Sequence, residues 1–230
     1  MKYHIEFDLD FKRNPYRGRY FVIEGIDGSG KTTQAKCLCD FFKKSNIQTI
    51  LTCEPRKKDG VVGELIQKIL LSKINIPPVA FQYLFSAERA IHHEELIIPS
   101  LKAGKHVVSD RSFWSAIPYG IMDKMMSADS KNYDFKEGEM MLVAQSILSM
   151  YHQFLVPNIT FYLKISINTA MKRITAKTDG KEIYEKKDIL EKVVKGYDWL
   201  VEKFPEEFVV IDGEKEVERV TEEITKRLKV

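Results

Sequence analysis

The sequence lacks any apolar run that approaches the ~20 residues a membrane-spanning helix needs. Its first residues, 1–6, are charged and carry no apolar core of the kind a secretory signal has. These absences argue against a membrane protein and a secreted one, and we expect a cytoplasmic location. With 44% hydrophobic and 30% charged residues, the composition is typical of an ordinary globular chain.

The chain also lacks an excess of charge and a cysteine framework. Its 36 basic and 33 acidic residues give a net charge of +3, which is too balanced to indicate nucleic acid as the main partner. The three cysteines, Cys37, Cys39 and Cys53, form no C-x-x-C pair. We therefore expect reduced thiols rather than disulfides or a zinc site.

One glycine-rich stretch is present in full. Residues 25–32, GIDGSGKT, match G-x-x-x-x-G-K-[ST] and directly follow the apolar run at residues 20–23. Glycines let backbone N–H groups turn around a phosphate, the lysine adds a cation, and the threonine hydroxyl can bind Mg²⁺. A predicted helix begins at Lys31, so its positive end faces the same phosphates. We predict that the residues of this loop and helix start bind phosphate groups: Gly25, Gly28, Ser29, Gly30, Lys31, Thr32 and Thr33.

The pattern of the remaining chain predicts the fold. Apolar runs at 20–23, 48–53, 106–110, 159–165 and 208–212 alternate with helical periodicity, as in a parallel sheet with helices on both faces. We predict an α/β protein with the P-loop kinase fold. Residues 1–18 form an N-terminal extension of unknown role, and 19–230 form one domain with a small flexible lid at about 176–186.

Charged residues follow two of these strands. Asp110 ends the third strand and Arg111 follows it, where a Walker-B-like carboxylate lies near Mg²⁺ and an arginine suits a phosphate. A basic loop, residues 56–60, follows the second strand, and spacing leaves a ligand site and a solvated turn equally open.

Three predictions concern helices. Phe85 and Arg89 are four residues apart and share one face of a helix predicted from Pro77 to about Leu101. Spacing alone favours a core phenylalanine and a surface arginine. We interpret residues 92–95, HHEE, as a solvated helix face, and we expect Asn168 to cap a short helix that carries Arg173.

Three motifs together resemble the thymidylate kinase family over residues 19–225. They are FVIEGIDGSGKTTQ at 21–34, LFSAERAIH at 84–92, and VVSDR at 107–111 with Ser115 and Tyr119 downstream. The resemblance implies phosphoryl transfer from ATP to dTMP, with Mg²⁺, in a homodimer.

The resemblance also implies residue roles. Asp27 would hold the sugar 3′-hydroxyl, Phe85 would stack on thymine, and Arg89 would contact the base. Arg111 would bind the acceptor phosphate, and Tyr119 would crowd the 2′ position. Glu54, Arg56 and Ser115 would also contact the substrate. Arg173 matches an arginine that lies against adenine. Asp110 and Thr32 would together bind Mg²⁺.

The chain departs from the family pattern at several positions. Cys53 stands where the family has an arginine before Glu-Pro, and Arg56, Lys57 or Lys58 are candidates to replace it. Ile183 stands where the family has an arginine in the lid. Ser112 follows Asp-Arg, where the family commonly has an aromatic residue or histidine. Because Gly28 replaces a loop arginine of some members, we hypothesise that Lys177 and Lys181 in the lid supply catalytic cations.

Two alternatives stay open. A deoxynucleoside kinase would share the Glu-Pro and Asp-Arg-Ser elements, with Glu54 as the base that deprotonates a 5′-hydroxyl. A non-catalytic nucleotide-binding protein is the other alternative. The sequence has neither the Asn-Lys-x-Asp motif of GTPases nor the Leu-Ser-Gly-Gly-Gln signature of ABC ATPases.

Overall fold

A computed structural model describes residues 10–127, 137–151, 153–176 and 182–228. Its strands have parallel partners and form a five-stranded sheet and a two-stranded one. The strands are β1 (Lys12–Arg13), β2 (Tyr20–Glu24), β3 (Thr49–Cys53), β4 (His106–Asp110), β5 (Leu155–Val156), β6 (Ile159–Lys164) and β7 (Phe208–Asp212). The large sheet has the order β3-β4-β2-β6-β7, which confirms the predicted five-stranded parallel sheet.

Helices cover both faces of this sheet. The α-helices in the described ranges are α1 (Lys31–Lys44), α2 (Gly60–Leu70), α3 (Pro78–His92), α4 (Ile98–Lys102), α5 (Ala116–Ser127), α6 (Glu137–Tyr151), α7 (Ile167–Thr175), α8 (Lys187–Lys203) and α9 (Val217–Lys226). None of the helices in these ranges is long and apolar enough to cross a membrane.

The central strand β2 organises the core because both of its faces are buried. Phe21 and Ile23 pack with α1 and α9, whereas Tyr20 and Val22 pack with α4 on the opposite face. Successive strand residues point to opposite faces, so one continuous apolar strand serves two layers. The phosphate loop leaves the carboxyl end of this strand.

The structure differs from the sequence prediction at α5, which we did not predict. Pro118 and Gly120 interrupt its pattern, and both residues disfavour a helix interior. Pro118 is the third residue of the helix, where its missing N–H has no intrahelical partner to lose. Gly120 instead allows close packing, because a Cβ there would lie 2.3 Å from the Cδ1 atom of Ile147.

The capping prediction for α7 was wrong. Ser166, not Asn168, is the N-cap, and its hydroxyl accepts a hydrogen bond from the Thr169 N–H at 3.2 Å. Both residue types are good caps. The helix therefore begins two residues earlier than that prediction required.

The interpretation of residues 92–95 as a solvated face was also wrong for the two histidines. His92 is fully buried and His93 is 2% exposed. His93 stacks on Phe154 with ring centroids 4.7 Å apart. The predicted helix from Pro77 to Leu101 changes here into a π-helical turn, His93–Ile97, before α4.

The described part of the N-terminal segment packs on the domain. Lys12–Arg13 pairs with Leu155–Val156, and the Phe11 ring lies 5.5 Å from that of Trp114. Arg13 also forms an ion pair with Glu207. Residues 1–9 lie outside the described ranges.

Close packing of α5 against α8 predicts the effect of one substitution. A Cβ at Gly196 would lie 2.7 Å from the backbone Cα of Pro118, so Gly196→Ala must push the helices apart. We expect it to lower the free energy of unfolding by about 1–3 kcal/mol in chemical denaturation.

Gly138→Ala is the matched control, because among the described residues outside its own helix backbone no heavy atom lies within 4 Å of a Cβ at that position. We expect its free energy of unfolding to be unchanged or raised by up to about 1 kcal/mol. Equal stability of the two variants would contradict the packing argument.

Candidate active site

The phosphate loop has backbone conformations that require glycine. Gly25, Gly28 and Gly30 have φ values of 147°, 82° and 93°. A Cβ at Gly28 would also lie 2.7 Å from the carbonyl oxygen of Ala170 in α7. The loop is therefore held between β2 and α7, and α1 begins directly after it at Lys31.

Two side chains of the loop are buried within it. Lys31 Nζ donates to the Ile26 carbonyl at 2.9 Å and lies 3.6 Å from Asp27 Oδ1. Burial, together with the nearby charge of Arg111, lowers the pKa of Lys31 from its usual value. The Ser29 hydroxyl is buried and has no hydrogen-bond partner among the described residues. An acceptor such as a phosphate oxygen would satisfy it.

Thr32 and Asp110 meet at the start of α1. The Thr32 hydroxyl donates to the Asp110 carboxylate, which ends the neighbouring strand β4. Thr33 is exposed in the same first turn, and Thr32, Thr33 and Asp110 line one cavity. The first N–H groups of a helix have no intrahelical acceptors, so this turn presents donors to an anion.

This oxygen pair also fits a small hard cation. Mg²⁺ is usually held by one or two protein oxygens together with substrate phosphates, rather than by a complete protein cage. Across the described ranges, no group of three or more His, Cys, Asp and Glu side chains could hold a metal ion. Thr32 and Asp110 therefore suit a metal that arrives with a nucleotide.

Arg111 is the centre of a second polar cluster in the site, beside the phosphate loop. Its Nη2 donates to Asp27 Oδ1 at 2.7 Å and to the Tyr119 hydroxyl at 2.9 Å. Its Nη1 contacts the hydroxyls of Ser115 at 3.1 Å and Tyr197 at 3.3 Å. The backbone φ of Arg111 is 76°, a left-handed conformation that costs of order 1–3 kcal/mol outside glycine. The surrounding contacts must therefore hold it in place.

The charges of this cluster shift one another's pKa values. Burial alone would raise the pKa of Asp27, but Arg111 and Lys31 outweigh it and lower that pKa well below its usual range. Burial raises the pKa of Tyr119, although the charge of Arg111 opposes this. At neutral pH, Asp27 is therefore ionised and Tyr119 carries its proton.

A buried carboxylate that the sequence analysis missed lies beneath Arg111. Glu24 ends β2 and is fully buried. It accepts hydrogen bonds from the N–H of Ser112 at 2.8 Å and from the hydroxyls of Ser115 and Tyr197 at 2.5 and 2.8 Å. A charged residue directly after a wholly apolar strand was the signal that could have identified it.

A second buried pair lies one strand away. Arg89 Nε donates to Glu54 Oε2 at 2.7 Å, and its Nη1 donates to the Tyr151 hydroxyl at 2.9 Å. Its guanidinium carbon lies 5.6 Å from the centre of the Phe85 ring, which confirms that the two residues share a face. Arg89 is 4% exposed. Spacing alone favoured a surface position for Arg89, and that prediction is therefore wrong.

Glu54 is kept ionised by its partners. Burial would raise its pKa, but the His92 hydrogen bond and the charge of Arg89 outweigh burial and lower the pKa to about 2. The carboxylate has contacts on both oxygens, since His92 Nδ1 lies 3.2 Å from Oε1.

The basic loop after β3 is mostly occupied by ion pairs. Arg56 Nε donates to Glu88 at 2.8 Å, and its Nη1 contacts Glu95 at 3.3 Å. Lys57 pairs with Glu182 of the predicted lid. Arg56, Lys57 and Lys58 line the cavity, and so does Cys53, whose free thiol supplies no cation. The thiols of Cys37 and Cys39 are also free.

The lid prediction is only partly covered by the structure. Lys177 and Lys181 lie outside the described residues. Ile183 N–H donates to the Leu70 carbonyl at 3.0 Å, and the Tyr184 ring lies 5.0 Å from that of Tyr119. Tyr184 therefore forms part of the wall beside Tyr119, which the sequence analysis missed.

Arg173 lies on α7 at the back of the phosphate loop. Its guanidinium donates to the carbonyls of Gly28 at 3.4 Å and Gly213 at 3.2 Å. These contacts hold the Arg173 guanidinium against the phosphate loop.

Most of the predicted site residues within the described ranges line one cavity of about 860 Å³, whereas Gly25 and Ser29 lie in the phosphate loop but do not line it. This volume lies in the range of small-molecule sites. Its lining includes Asp27, Gly28, Gly30, Lys31, Thr32, Thr33, Glu54, Arg56, Phe85, Arg89, Asp110, Arg111, Ser115, Tyr119 and Arg173. A phosphate loop and a second cation-lined end in one cavity define a P-loop phosphotransferase.

Comparison with known proteins agrees with this class. The family model described as Thymidylate kinase matches residues 23–224. A thymidylate kinase of Thermoanaerobacter sp. strain X514 is 34% identical over 209 residues, which cover 90% of this chain and 96% of the relative. A Methanocaldococcus jannaschii protein named "Probable thymidylate kinase" is 36% identical over 211 residues, covering 91% and 95%.

A solved structure is also similar. The thymidylate kinase of Candida albicans superposes with a TM-score of 0.73 at 25% identity, covering 91% of this chain and 90% of that one. The chain belongs to the thymidylate kinase family. The resemblance predicted from the three sequence motifs is thereby confirmed.

The buried Glu54–Arg89 pair predicts a pH-dependent stability. The folded pKa of Glu54, about 2, lies below the ordinary value of 4.5, so the pair stabilises the fold above pH 4.5 and the stabilisation is lost as pH falls towards 2. Glu54→Gln leaves Arg89 unpaired and should cost about 3–5 kcal/mol at pH 7. Denaturation at several pH values should show the difference from wild type shrinking below pH 5.

Glu95→Gln is the control, because Glu95 is 64% exposed in its pair with Arg56. Exposed pairs contribute about 0–1 kcal/mol. A pH-independent loss in Glu54→Gln would contradict the assignment of that loss to the ionised pair.

Proposed function

We propose that this protein is a dTMP kinase, which transfers the γ-phosphoryl group of ATP to dTMP and yields dTDP. One observation carries the proposal: a single cavity joins the phosphate loop to Arg111 and to the Phe85–Arg89 pair. Family membership supports the same reaction.

On the donor side, the loop N–H groups, Ser29 and Lys31 would bind the ATP phosphates. The positive φ values of the glycines and the position of Gly28, Gly30 and Lys31 in the cavity lining support this role. Thr32 and Asp110 would hold Mg²⁺, which neutralises charge on the phosphates when bound. Arg173 would lie against the adenine.

On the acceptor side, Arg111 would bind the phosphate of dTMP. Ser115 contacts the Arg111 guanidinium and so orients it. Asp27 would accept a hydrogen bond from the sugar 3′-hydroxyl, which suits a carboxylate that stays ionised. Tyr119, 3.4 Å from the other Asp27 oxygen, would exclude a 2′-hydroxyl and favour deoxyribose.

At the base end, Phe85 would stack on thymine and Arg89 would donate to a base carbonyl. Glu54 acts on the substrate through Arg89, whose guanidinium it fixes. Stacking and a fixed donor together favour a pyrimidine with a carbonyl at this edge.

Lys57 is the best replacement for the arginine that Cys53 displaces. Lys57 adds to the charges of Arg111 and Lys31 that lower the pKa of Asp27, and it opposes the burial that raises the pKa of Cys53 to about 11, so its charge acts on this part of the cavity. Arg56 is instead directed to Glu88 and Glu95, and Lys58 is exposed. The role of Lys177 and Lys181 as catalytic cations stays a prediction.

The catalytic work of these residues is positional and electrostatic. Lys31 and Arg111 would bring donor and acceptor phosphates together by offsetting their repulsion. The mechanism needs no covalent enzyme intermediate. The Tyr184 and Tyr119 rings form one wall of the cavity and would shield the bound phosphates from water on that side.

Two further properties belong to this proposal. We expect a homodimer, as the family resemblance implies, and a cytoplasmic location, where ATP and deoxynucleotides are available.

The structure disfavours a deoxynucleoside kinase. That reaction needs a base for the 5′-hydroxyl, and Glu54 would have to serve. With a pKa of about 2 and contacts to both Arg89 and His92, Glu54 is a poor proton acceptor.

The first experiment is ADP formation from Mg-ATP with dTMP, dUMP, dCMP, dGMP, AMP and thymidine as separate acceptors. We expect turnover of dTMP above all the others. Turnover of thymidine would indicate a deoxynucleoside kinase. Binding of ATP without turnover of any acceptor would favour the non-catalytic alternative.

A second prediction concerns Lys31, the buried cation of the loop. Lys31→Met should lower kcat with dTMP about 10²–10³-fold, because it removes one charge that stabilises the transferring phosphoryl group. Lys36→Met on the exposed face of the same helix is the control and should keep wild-type kcat. Equal kcat values in the two variants would refute the role of Lys31.

A further inference from the structure

We propose that His92 is a positioning residue for recognition of the base. It fixes Glu54, and Glu54 fixes Arg89. This inference rests on the proposed function, in which Arg89 contacts the base of the acceptor nucleotide.

The contacts of His92 define its ring orientation. Its Nδ1 lies 3.2 Å from Glu54 Oε1, and its Nε2 lies 2.8 Å from the Thr52 hydroxyl. Because ionised Glu54 can only accept, His92 Nδ1 carries the proton and donates. The ring is therefore held at both nitrogens by two residues of the same strand end.

Glu54 transmits this orientation to Arg89. One carboxylate oxygen faces His92 and the other accepts from Arg89 Nε at 2.7 Å. Tyr151 holds Arg89 Nη1, and within the described residues Nη2 has no hydrogen-bond partner. Arg89 lines the cavity, so Nη2 is the donor available to a ligand.

The network is fully desolvated, which gives the His92 contact its importance. The side chains of His92 and Glu54 are both 0% exposed, and that of Arg89 is 5% exposed. Loss of one donor to a buried carboxylate leaves that oxygen without a partner and frees Glu54 to rotate. A rotated Glu54 no longer holds the Arg89 guanidinium at one angle.

The test measures steady-state constants with dTMP and ATP for a set of variants. In His92→Phe, which keeps a ring but has no donor, we expect KM for dTMP to rise roughly tenfold. The base is remote from the reacting phosphate, so kcat and KM for ATP should stay within about twofold. His92→Asn restores an N–H near the Nδ1 position and should recover most of the KM.

His93→Phe is the matched control. His93 is equally buried, but its Nδ1 contacts the Arg89 carbonyl at 3.1 Å and its ring stacks on Phe154, which phenylalanine preserves. We expect its KM for dTMP to stay within about twofold of wild type. A KM rise in His93→Phe equal to that in His92→Phe would overturn the proposal.

A double-mutant cycle separates positioning from a general structural role. In an Arg89→Gln background, His92→Phe should raise KM for dTMP no further, because the residue through which it acts is absent. A further tenfold rise in that background would overturn the proposal. If His92→Phe does not fold, Thr52→Val is the alternative variant, because it removes the hydroxyl that contacts His92 Nε2 and should raise KM for dTMP by a smaller factor. A wild-type KM in Thr52→Val would then count against the proposal.

These results are distinct from a failure of the proposed function. If the wild-type protein does not turn over dTMP, the proposed function fails. If it does and KM is unchanged in His92→Phe, only the positioning role of His92 fails.

Discussion

The site depends on the balance of charge around buried Arg111. A guanidinium removed from water must be paired, and Asp27 and Glu24 supply the negative charge, Asp27 directly and Glu24 through the hydroxyls of Ser115 and Tyr197. The strand register produces this balance. β2 and β4 are neighbours with Ile23 opposite Asp110, so Glu24 and Arg111 leave the sheet side by side. The Arg111 N–H then bonds to the Ile23 carbonyl at 3.0 Å.

The buried Glu54–Arg89 pair repeats this arrangement at the end of β3, the next strand beyond β4. Glu54 follows β3, and Glu24 ends β2. Glu54 pairs directly with Arg89, whereas Glu24 reaches Arg111 through hydroxyl groups, and both arginines line the cavity. Each arginine also contacts an aromatic residue, Tyr119 for Arg111 and Phe85 for Arg89. Parallel strands end at a common edge, so two buried ion pairs lie on either side of one ligand space.

The sequence predicted the parts of the fold that local chemistry determines. The five strands, the phosphate loop and Asp110–Arg111 each have a compact signal in a few adjacent residues. The contacts of Glu24 with Tyr197 could not be predicted, because 173 positions separate the two residues. His92 was misread for a similar reason: neighbouring histidines on a helix suggest solvent until β3 and Phe154 are seen to cover them. Helix α5 was missed because Pro118 and Gly120 mark a break in a one-dimensional pattern but fit the packed helix.

The π-helical turn at His93–Ile97 has a consequence for chain length. A π turn accommodates one residue more than an α turn, so α4 is rotated by about 100° relative to an uninterrupted continuation of α3. Deletion of one residue there would leave Phe85 and Arg89 in place but would turn Ile97 and Leu101 away from the core that they fill. The number of residues between α3 and β4 is thus fixed by packing, so an insertion or deletion in this segment has a different effect from a substitution.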